Sequence, residues 1–449
     1  MENQESNKRA KRFFDAFLRW RGKHLPDIPF LFVLAFSVGL VTGFGAFLLK
    51  TSIGALSRFL TSHFTAAGFN PWLLGLPVAG MLLCGLFMRY VLHADISHGV
   101  RQMIGRLHLR DYNIRPSGMV SAFIASTITL SFGGSAGSEG PIACTGAAVG
   151  SNLGRAMGLK PGMVKILLGC GAGAGIAGIF KAPIGGVLFT LEVLQMGMTT
   201  MSVLALVVCC LTSGLTVYLL GGCTVDIPFA RAAVAFDTSE LGWIFLLGVF
   251  CGLYSAYYNY AMKKTEHLIL RIGSLWMRCL ATGLALGVML FLFPVLYGEG
   301  YSAVGHIING HGSVVLDGIA FDGLKDSATD LVLVAAGIIG LKCFATAATT
   351  NGGVAGDFAP TLFAGAVAGL GFALLANSLF GLDLTVGNYA LYAMAGVMAG
   401  TIRAPLMAIF LVVEMTDSYA CLIPVVIVAA VSFGVIRLFN FHKFYSTKI

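Results

Sequence analysis

From Gly118 through Leu153 the chain carries a single charged side chain, Glu139. A lone acid in so long an apolar stretch constrains the fold more than any other feature. A carboxylate at bilayer depth is costly, and one that is kept there is read as functional. The residues around it, Gly133 to Gly150, read GGSAGSEGPIACTGAAVG. Small residues flank the acid on both sides, and Pro141 opens a run that can continue as helix, which suits proline in a first helical turn. A glycine-rich approach followed by a helix start gathers backbone N–H groups, and the positive end of the helix dipole favours an anion there. Glu139 is thus an anion set at an anion site.

The same device occurs twice. Residues 352–369 read GGVAGDFAPTLFAGAVAG. Laid without gaps on 133–150, they pair Gly133 with Gly352 and Pro141 with Pro360, and Gly134, Ala136, Gly137, Gly146, Ala147 and Gly150 meet identical partners. A second overlay sets KAPIGGVLFTLEV (181–193) on RAPLMAIFLVVEM (403–415), with Ala-Pro and the acids Glu192 and Glu414 in register. Two motifs recurring in the same order, about half a chain apart, indicate an internal duplication. Membrane helices rich in small residues resemble one another by composition, but composition does not align Pro, Gly and Glu together. Interrupted apolar segments at matching positions of two halves point to a substrate site at the repeat interface.

Hydrophobic residues make up 57% of the 449 and charged ones 11%. A soluble chain of this length needs far more charge to cover its surface, so the reading is an all-α polytopic membrane protein in a lipid bilayer. Net charge is +8, part of it in MENQESNKRAKRFFDAFLRWRGKH at the N-terminus. That segment lacks a cleavable signal pattern. It reads as an amphipathic basic helix over 1–27 on the cytoplasmic leaflet, with Phe13, Phe14, Phe17 and Trp20 toward lipid. The positive-inside rule then places the N-terminus in the cytoplasm. A nucleic-acid arm is the other use of such charge, and no nucleic acid is expected as a partner. The ten cysteines are scattered, without CxxC or Cys/His ligand spacing, so neither a disulfide framework nor a zinc site is indicated, and no cofactor is expected.

Uncharged runs at 29–49 and 71–88 are long enough to cross a bilayer, which takes about 20 residues. A shorter polar-tipped piece follows at 93–109, and 119–132 leads into the Glu139 stretch, helical over 139–153. The run at 166–180 is stopped by Lys181-Ala182-Pro183 before it could span comfortably, and Pro183 starts another short helix ending near Val193. These read as half-length, re-entrant or broken helices, tolerated in a bilayer where they are buried in protein or line a cavity. A run at 202–220 completes the first half, and 221–240 is a polar connection. The second half offers spans at 241–262 and 280–297, an extramembranous loop at 301–330, a helix at 331–350 interrupted by Lys342, and runs at 358–375, 386–402, 405–415 and 422–438. The chain reads as one membrane domain, 1–449, with halves at 28–222 and 240–449, and no regulatory domain is expected after FNFHKFYSTKI.

With these motifs in hand, the chain resembles the CLC family of chloride channels and proton-coupled chloride exchangers, of the prokaryotic type without CBS domains. The family's GxEGP stands here as Gly137-Ser138-Glu139-Gly140-Pro141. Its GxFAP stands as Gly356-Asp357-Phe358-Ala359-Pro360, preceded by LKCFATAATTNGG. A degraded GSGIP stands as Ser97-His98-Gly99-Val100-Arg101, and the terminal pore tyrosine matches Tyr445. The resemblance implies a CLC-type fold of two inverted-topology repeats with many tilted and broken helices. It also implies a homodimer with one anion pathway per subunit, in an inner or plasma membrane, with both termini cytoplasmic. It further implies that Glu139 is the gate, that the amides of Asp357 and Phe358 hold a dehydrated anion together with Gly140 at the start of the other helix, and that Tyr445 adds its hydroxyl from the cytoplasmic side. Aligned backbone dipoles bind an anion firmly enough for entry and loosely enough for exit.

Four positions depart from the family pattern. Val193 stands where the family has its inner proton-accepting glutamate, which removes that relay and favours a passive channel. Ser138 stands where Arg or Lys usually precedes the gating glutamate, and Asp357 where an apolar residue usually donates its amide. His98 stands at the anion-binding serine, with Ser97 one residue away as its substitute. An imidazole can donate a hydrogen bond and gain charge near neutral pH, so His98 is a candidate for offsetting the lost cation, and Asp357 for a substitute proton carrier. Glu192 and Glu414 read as structural acids in helix-end hydrogen bonds, Lys181 and Arg403 as paired structural residues, and His93, His306 and His311 as solvated loop residues.

The function expected is transport of chloride or a similar small anion, in passive, voltage-gated-channel-like mode. The alternative is chloride/proton antiport by another proton route. An intramembrane enzyme would need paired catalytic groups, and there is no GxSxG with a membrane histidine, no HExxH and no pair of membrane aspartates. A cation transporter would want acids and carbonyls at its site rather than helix N-termini.

Overall fold

At membrane depth a backbone must satisfy its own hydrogen bonds, so an apolar chain punctuated by proline and glycine folds as a series of helices. The structure, a computed structural model, describes residues 26–62, 70–91, 112–197, 199–222, 238–320 and 327–446, with His24, Met103, Gly105 and Ile227. The first half runs α1 (Asp27–Thr61), α2 (Trp72–Leu86, continued by a π turn at Phe87–Val91), α3 (Ser117–Ser131), α4 (Glu139–Ala156), α5 (Pro161–Phe180), α6 (Pro183–Leu188, continued by a π turn at Phe189–Val193) and α7 (Thr200–Leu220). The second runs α8 (Leu241–Leu270), α9 (Leu275–Leu292), α10 (Tyr301–Ile308), α11 (Ala328–Gly352), α12 (Phe358–Phe380), α13 (Val386–Ile402), α14 (Pro405–Thr416) and α15 (Leu422–Ser446). Among the described residues, nine helices are long and apolar enough to cross a membrane.

The helices at the centre are α4, α5, α12 and α13, packed in the pairs α4 on α5 and α12 on α13. Burial of polar and apolar residues alike sets them apart from α1, α2 and α7, whose Phe36, Leu40, Phe44, Leu83, Leu211 and Leu215 point outward. Lipid tails are as apolar as leucine, so the central pairs hold by close van der Waals approach of small residues rather than by hydrophobic contrast. A Cβ on Gly146 would strike the Gly171 carbonyl of α5, and one on the matching Gly365 would strike the Ala393 carbonyl of α13.

The duplication is realised as contacts. Glu192, at the end of α6, accepts from the amides of Leu406 and Met407 at the start of α14, over 3.3 and 2.8 Å. Glu414, at the end of α14, accepts from Ile184 and Gly185 at the start of α6, over 3.1 and 2.8 Å. Each short helix begins with proline at its first position and has its open amides capped by the acid of its duplicate, which also suits the dipole. Lys181 and Arg403 close α5 and α13 in the left-handed region, φ 53° and 65°. There the next residue can turn toward the Ala-Pro start, and a cation sits well at a helix C-terminus. These four residues hold the structural positions expected of them.

Two expectations are corrected. The run at 166–180 is not half-length: α5 starts at Pro161 and has 20 residues, because proline sets its first turn and Lys165 is carried within it. The segment after 300 is not simply a loop. Its first eight residues form α10, whose Ala303, Val304, Ile307 and Ile308 are buried at helical spacing, and a 3-10 turn follows at Gly312–Leu316. His306 lies on α10 and is exposed, with its ring 6.2 Å from that of His311. The basic N-terminal segment up to residue 23, His93, Ser97 and His98 lie outside the described residues.

Candidate functional site

The two glycine-rich loops that precede α4 and α12 meet. Gly137 and Gly356 form an isolated antiparallel bridge, and each loop is tied to a threonine across the molecule. Ser135 donates its amide to Thr349 Oγ1 over 3.0 Å, and Val354 donates its amide to Thr129 Oγ1 over 3.1 Å. Helix starts leave their first amides without intrahelical partners, and here two such starts lie beside one bridge.

Glu139, the first residue of α4, is fully buried. Its Oε1 accepts from the Ala359 amide of α12 over 3.0 Å and from the Tyr301 hydroxyl of α10 over 2.8 Å. Its Oε2 is buried with no hydrogen-bond partner among the described residues. The carboxylate of one half thus occupies the amide end of the other half's helix. Hydrogen bonds to an ionised group are worth about 1.5–3 kcal/mol each, so two of them with a helix end hold the acid inward without making it immovable. Tyr301 stands edge-on to Phe180, and Phe358 edge-on to Phe189 at 5.8 Å.

Two further groups complete the site. Ser138, the residue before the acid, donates both its amide and its hydroxyl to Glu299 Oε1, over 2.8 and 2.6 Å. Lys342 of α11 is fully buried, with Nζ 2.8 Å from Ser135 Oγ and 4.6 Å from the centre of the Phe363 ring. Its ammonium is in electrostatic reach of Glu139. A buried amine between an aromatic face and a hydroxyl thus lies in the neighbourhood of the buried acid.

Of the residues expected at the site, Glu139, Gly140 and Phe358 are brought together, with Gly140 at the start of α4 beside Gly356. The amide that reaches the carboxylate is that of Ala359, one residue beyond Phe358, rather than that of Asp357 or Phe358. Asp357 is the N-cap of α12, and Ala359 is its second helical residue. Asp357 makes no side-chain cap to its own helix and is in electrostatic reach of Tyr258. Val193 ends the π turn after α6, partly buried against the core. Tyr445 falls in the last turns of α15, and its side chain, like Ser97 and His98, is outside the described residues. Sequence reasoning missed Tyr301 and Glu299, which lay in or beside the supposed loop. Lys342 was visible as a lone charge in an apolar helix, a signal that by itself marks function.

The chain matches the family described as voltage gated chloride channel over residues 79–437. A ClcB-like protein of Ralstonia nicotianae is 30% identical over 370 residues, which cover 80% of this chain and 81% of that protein. The H+/Cl− exchange transporter ClcA of Vibrio cholerae is 30% identical over 301 residues, 65% of this chain and 60% of its own length. The match to that relative therefore spans less than two thirds of it. Among solved structures, a slow cyanobacterial Cl−/H+ antiporter superposes with a TM-score of 0.75 at 23% identity, covering 91% of this chain and 94% of the other. A CLC-type fluoride/proton antiporter gives 0.72 at 23% identity, covering 91% and 95%. At that identity the likeness carries the fold.

Proposed function

The chain belongs to the voltage-gated chloride channel (CLC) family, and within it we propose that it carries chloride or a similar small anion across a bilayer past a carboxylate gate, Glu139. One observation carries this reading: a buried carboxylate rests on the Ala359 amide at the start of α12. A carboxylate and a halide share charge and taste for aligned amides, so they compete for that place. Ionised, Glu139 fills it; protonated, it loses the charge that holds it there and leaves the amide to the passing anion. Gly140 and the amides of Asp357 and Phe358 line the same helix ends, and Ser97 or His98 and the Tyr445 hydroxyl remain assigned to the inner end of the pathway.

Passive conduction is the favoured mode, supported by the apolar Val193 at the inner proton position. Coupled exchange is the second reading, supported by relatives and fold neighbours named as exchangers or antiporters. The protein would work as a homodimer with both termini in the cytoplasm. Purified protein in liposomes, with anion efflux and proton uptake recorded together, tests the transport reading and its mode. Wild type should pass chloride, and Glu139→Gln should pass it with a reduced pH dependence and no coupled proton movement. Uphill proton movement driven by the anion gradient would select exchange over conduction. A wild-type protein that passes no anion would overturn transport, and a Glu139→Gln protein indistinguishable from wild type would overturn the gate. Competing fluoride, nitrate and bromide rank the substrates.

A further inference from the structure

Two helix starts converge on the site, and each already holds one of the protein's own carboxylates. At α12 the occupant is Glu139. At α4 it is Glu299, whose Oε1 takes both the amide and the hydroxyl of Ser138. Ser138 is the N-cap of α4, yet its side chain does not cap its own helix; the hydroxyl is spent on Glu299. The short segment that carries this acid also carries Tyr301. Residues 299 and 301 thus grip residues 138 and 139 in turn, one by a carboxylate and the other by a phenol.

The segment is built to place them. Gly298 and Gly300, on either side of Glu299, have φ of +69° and +81°, a region that glycine enters without strain. A Cβ at Gly300 would also meet the Phe363 ring, the ring that Lys342 covers. Glu139 is fully buried, whereas Glu299 is half-buried, so Glu299 is the acid nearer to solvent. A neutral acceptor would serve equally well to cap α4. An acid instead puts a second negative charge in electrostatic reach of Glu139, and neighbouring carboxylates resist being ionised together.

Resting on the transport reading above, we propose that Glu299 is a second gating carboxylate, which occupies the amide end of α4 as Glu139 occupies that of α12. Ionised, it fills the Ser138 amide and repels an incoming anion. A proton from solution on its carboxylate cancels that charge, weakens its hold on Ser138 and opens the amide of α4 to the anion; loss of the proton to solution restores the block. Among the described residues, the charged and titratable groups in its neighbourhood include Glu139 of α4, Tyr297 and Tyr301 on its own segment, Lys50 of α1 with Nζ 5.8 Å from the Tyr301 ring, and Lys342 of α11. The Tyr297 hydroxyl donates to the Ser131 carbonyl, which leaves the two acids as the carboxyl groups that meet the helix starts.

The test is chloride efflux from liposomes holding the full chain, with pH varied separately on each face. Glu299→Gln keeps an acceptor for Ser138 but no charge. It should raise flux at neutral pH roughly tenfold, as expected from losing a charge-assisted hydrogen bond, and make the pH dependence shallower. Glu139→Gln alone should keep a residual pH dependence from the face nearer Glu299, and the double variant should lose it. Glu299→Asp, still an acid, should retain the wild-type steepness. A Glu299→Gln profile superimposed on wild type, or a Glu139→Gln profile already flat, overturns the second gate while leaving anion transport intact. Should Glu299→Gln fail to fold, Ser138→Ala decides: with one donor to the ionised form removed, activation should move to higher pH, and an unmoved midpoint overturns the proposal. Wild type without flux would instead overturn the transport reading.

Discussion

Gly137 and Gly356 donate their amides to each other's carbonyls, over 3.0 and 2.6 Å, and they hold the same position in the two copies of the duplicated motif. A residue bonded to its own duplicate in antiparallel sense lies on the twofold that relates the halves. Beyond them the copies diverge: Ser138 and Glu139 of one face Asp357 and Phe358 of the other. One half therefore supplies the acid, and the other supplies the amide end on which it rests.

That meeting point gives the first prediction. A Cβ on Gly137 would land on the Glu139 carboxylate, while its backbone lies outside the left-handed region and accepts alanine. Gly137→Ala should push the acid off Ala359. Anion flux at neutral pH should rise about tenfold, the equivalent of one charge-assisted hydrogen bond. A map of the variant with the carboxylate still on the Ala359 amide would refute this.

Tyr301→Phe removes one of the two donors on Oε1 and leaves the ring against Phe180. The gate should open at higher pH, since an ionised acid with fewer donors takes up a proton more readily. Efflux measured across a pH series checks it, and an unshifted midpoint would discard the phenol as a gate holder.

Lys342→Met keeps an unbranched side chain one atom shorter and removes the amine. The Nζ is wholly buried between Ser135 and Phe363, where added salt screens any charge it carries only little. Chloride titrated into detergent-purified protein should bind roughly tenfold more weakly, the loss of one favourable contact of about 1.4 kcal/mol. Equal affinity in the two proteins would remove Lys342 from the anion site.

Glu192→Ala and Glu414→Ala each strip two amide bonds from the start of the duplicate's short helix. Each should cost about 1 kcal/mol, the usual loss when a helix start is stripped of its cap, and lower the melting temperature. The pH profile of flux should stay as in wild type. A shifted profile would move these acids from the scaffold to the transport path.

Much of the scaffold was legible. The overlay of 181–193 on 403–415 predicted matching acids in helix-end bonds, and the structure pairs them across the halves, 192 with 406 and 407, 414 with 184 and 185. The supposed loop after residue 300 misled because glycines, histidines and acids crowd it, although Val304, Ile307 and Ile308 already marked one helical face. That Glu139 rests on the Ala359 amide was not legible, since which amide of a first turn faces a neighbour depends on how two helices approach.

Apolar length, proline and glycine punctuation and a repeated motif act locally, and so the chain's own residues determined an all-helical membrane fold of two related halves with one acid at a helix start. Only the tertiary structure decided who meets that acid. Glu139 reaches Tyr301 and Ala359 across 162 and 220 residues of chain, Ser138 reaches Glu299 across 161, and Lys342 reaches Ser135 across 207. A hydrogen bond is made or lost within a few tenths of an ångström, and positions that far apart along a chain are set to that tolerance by packing, not by any local pattern.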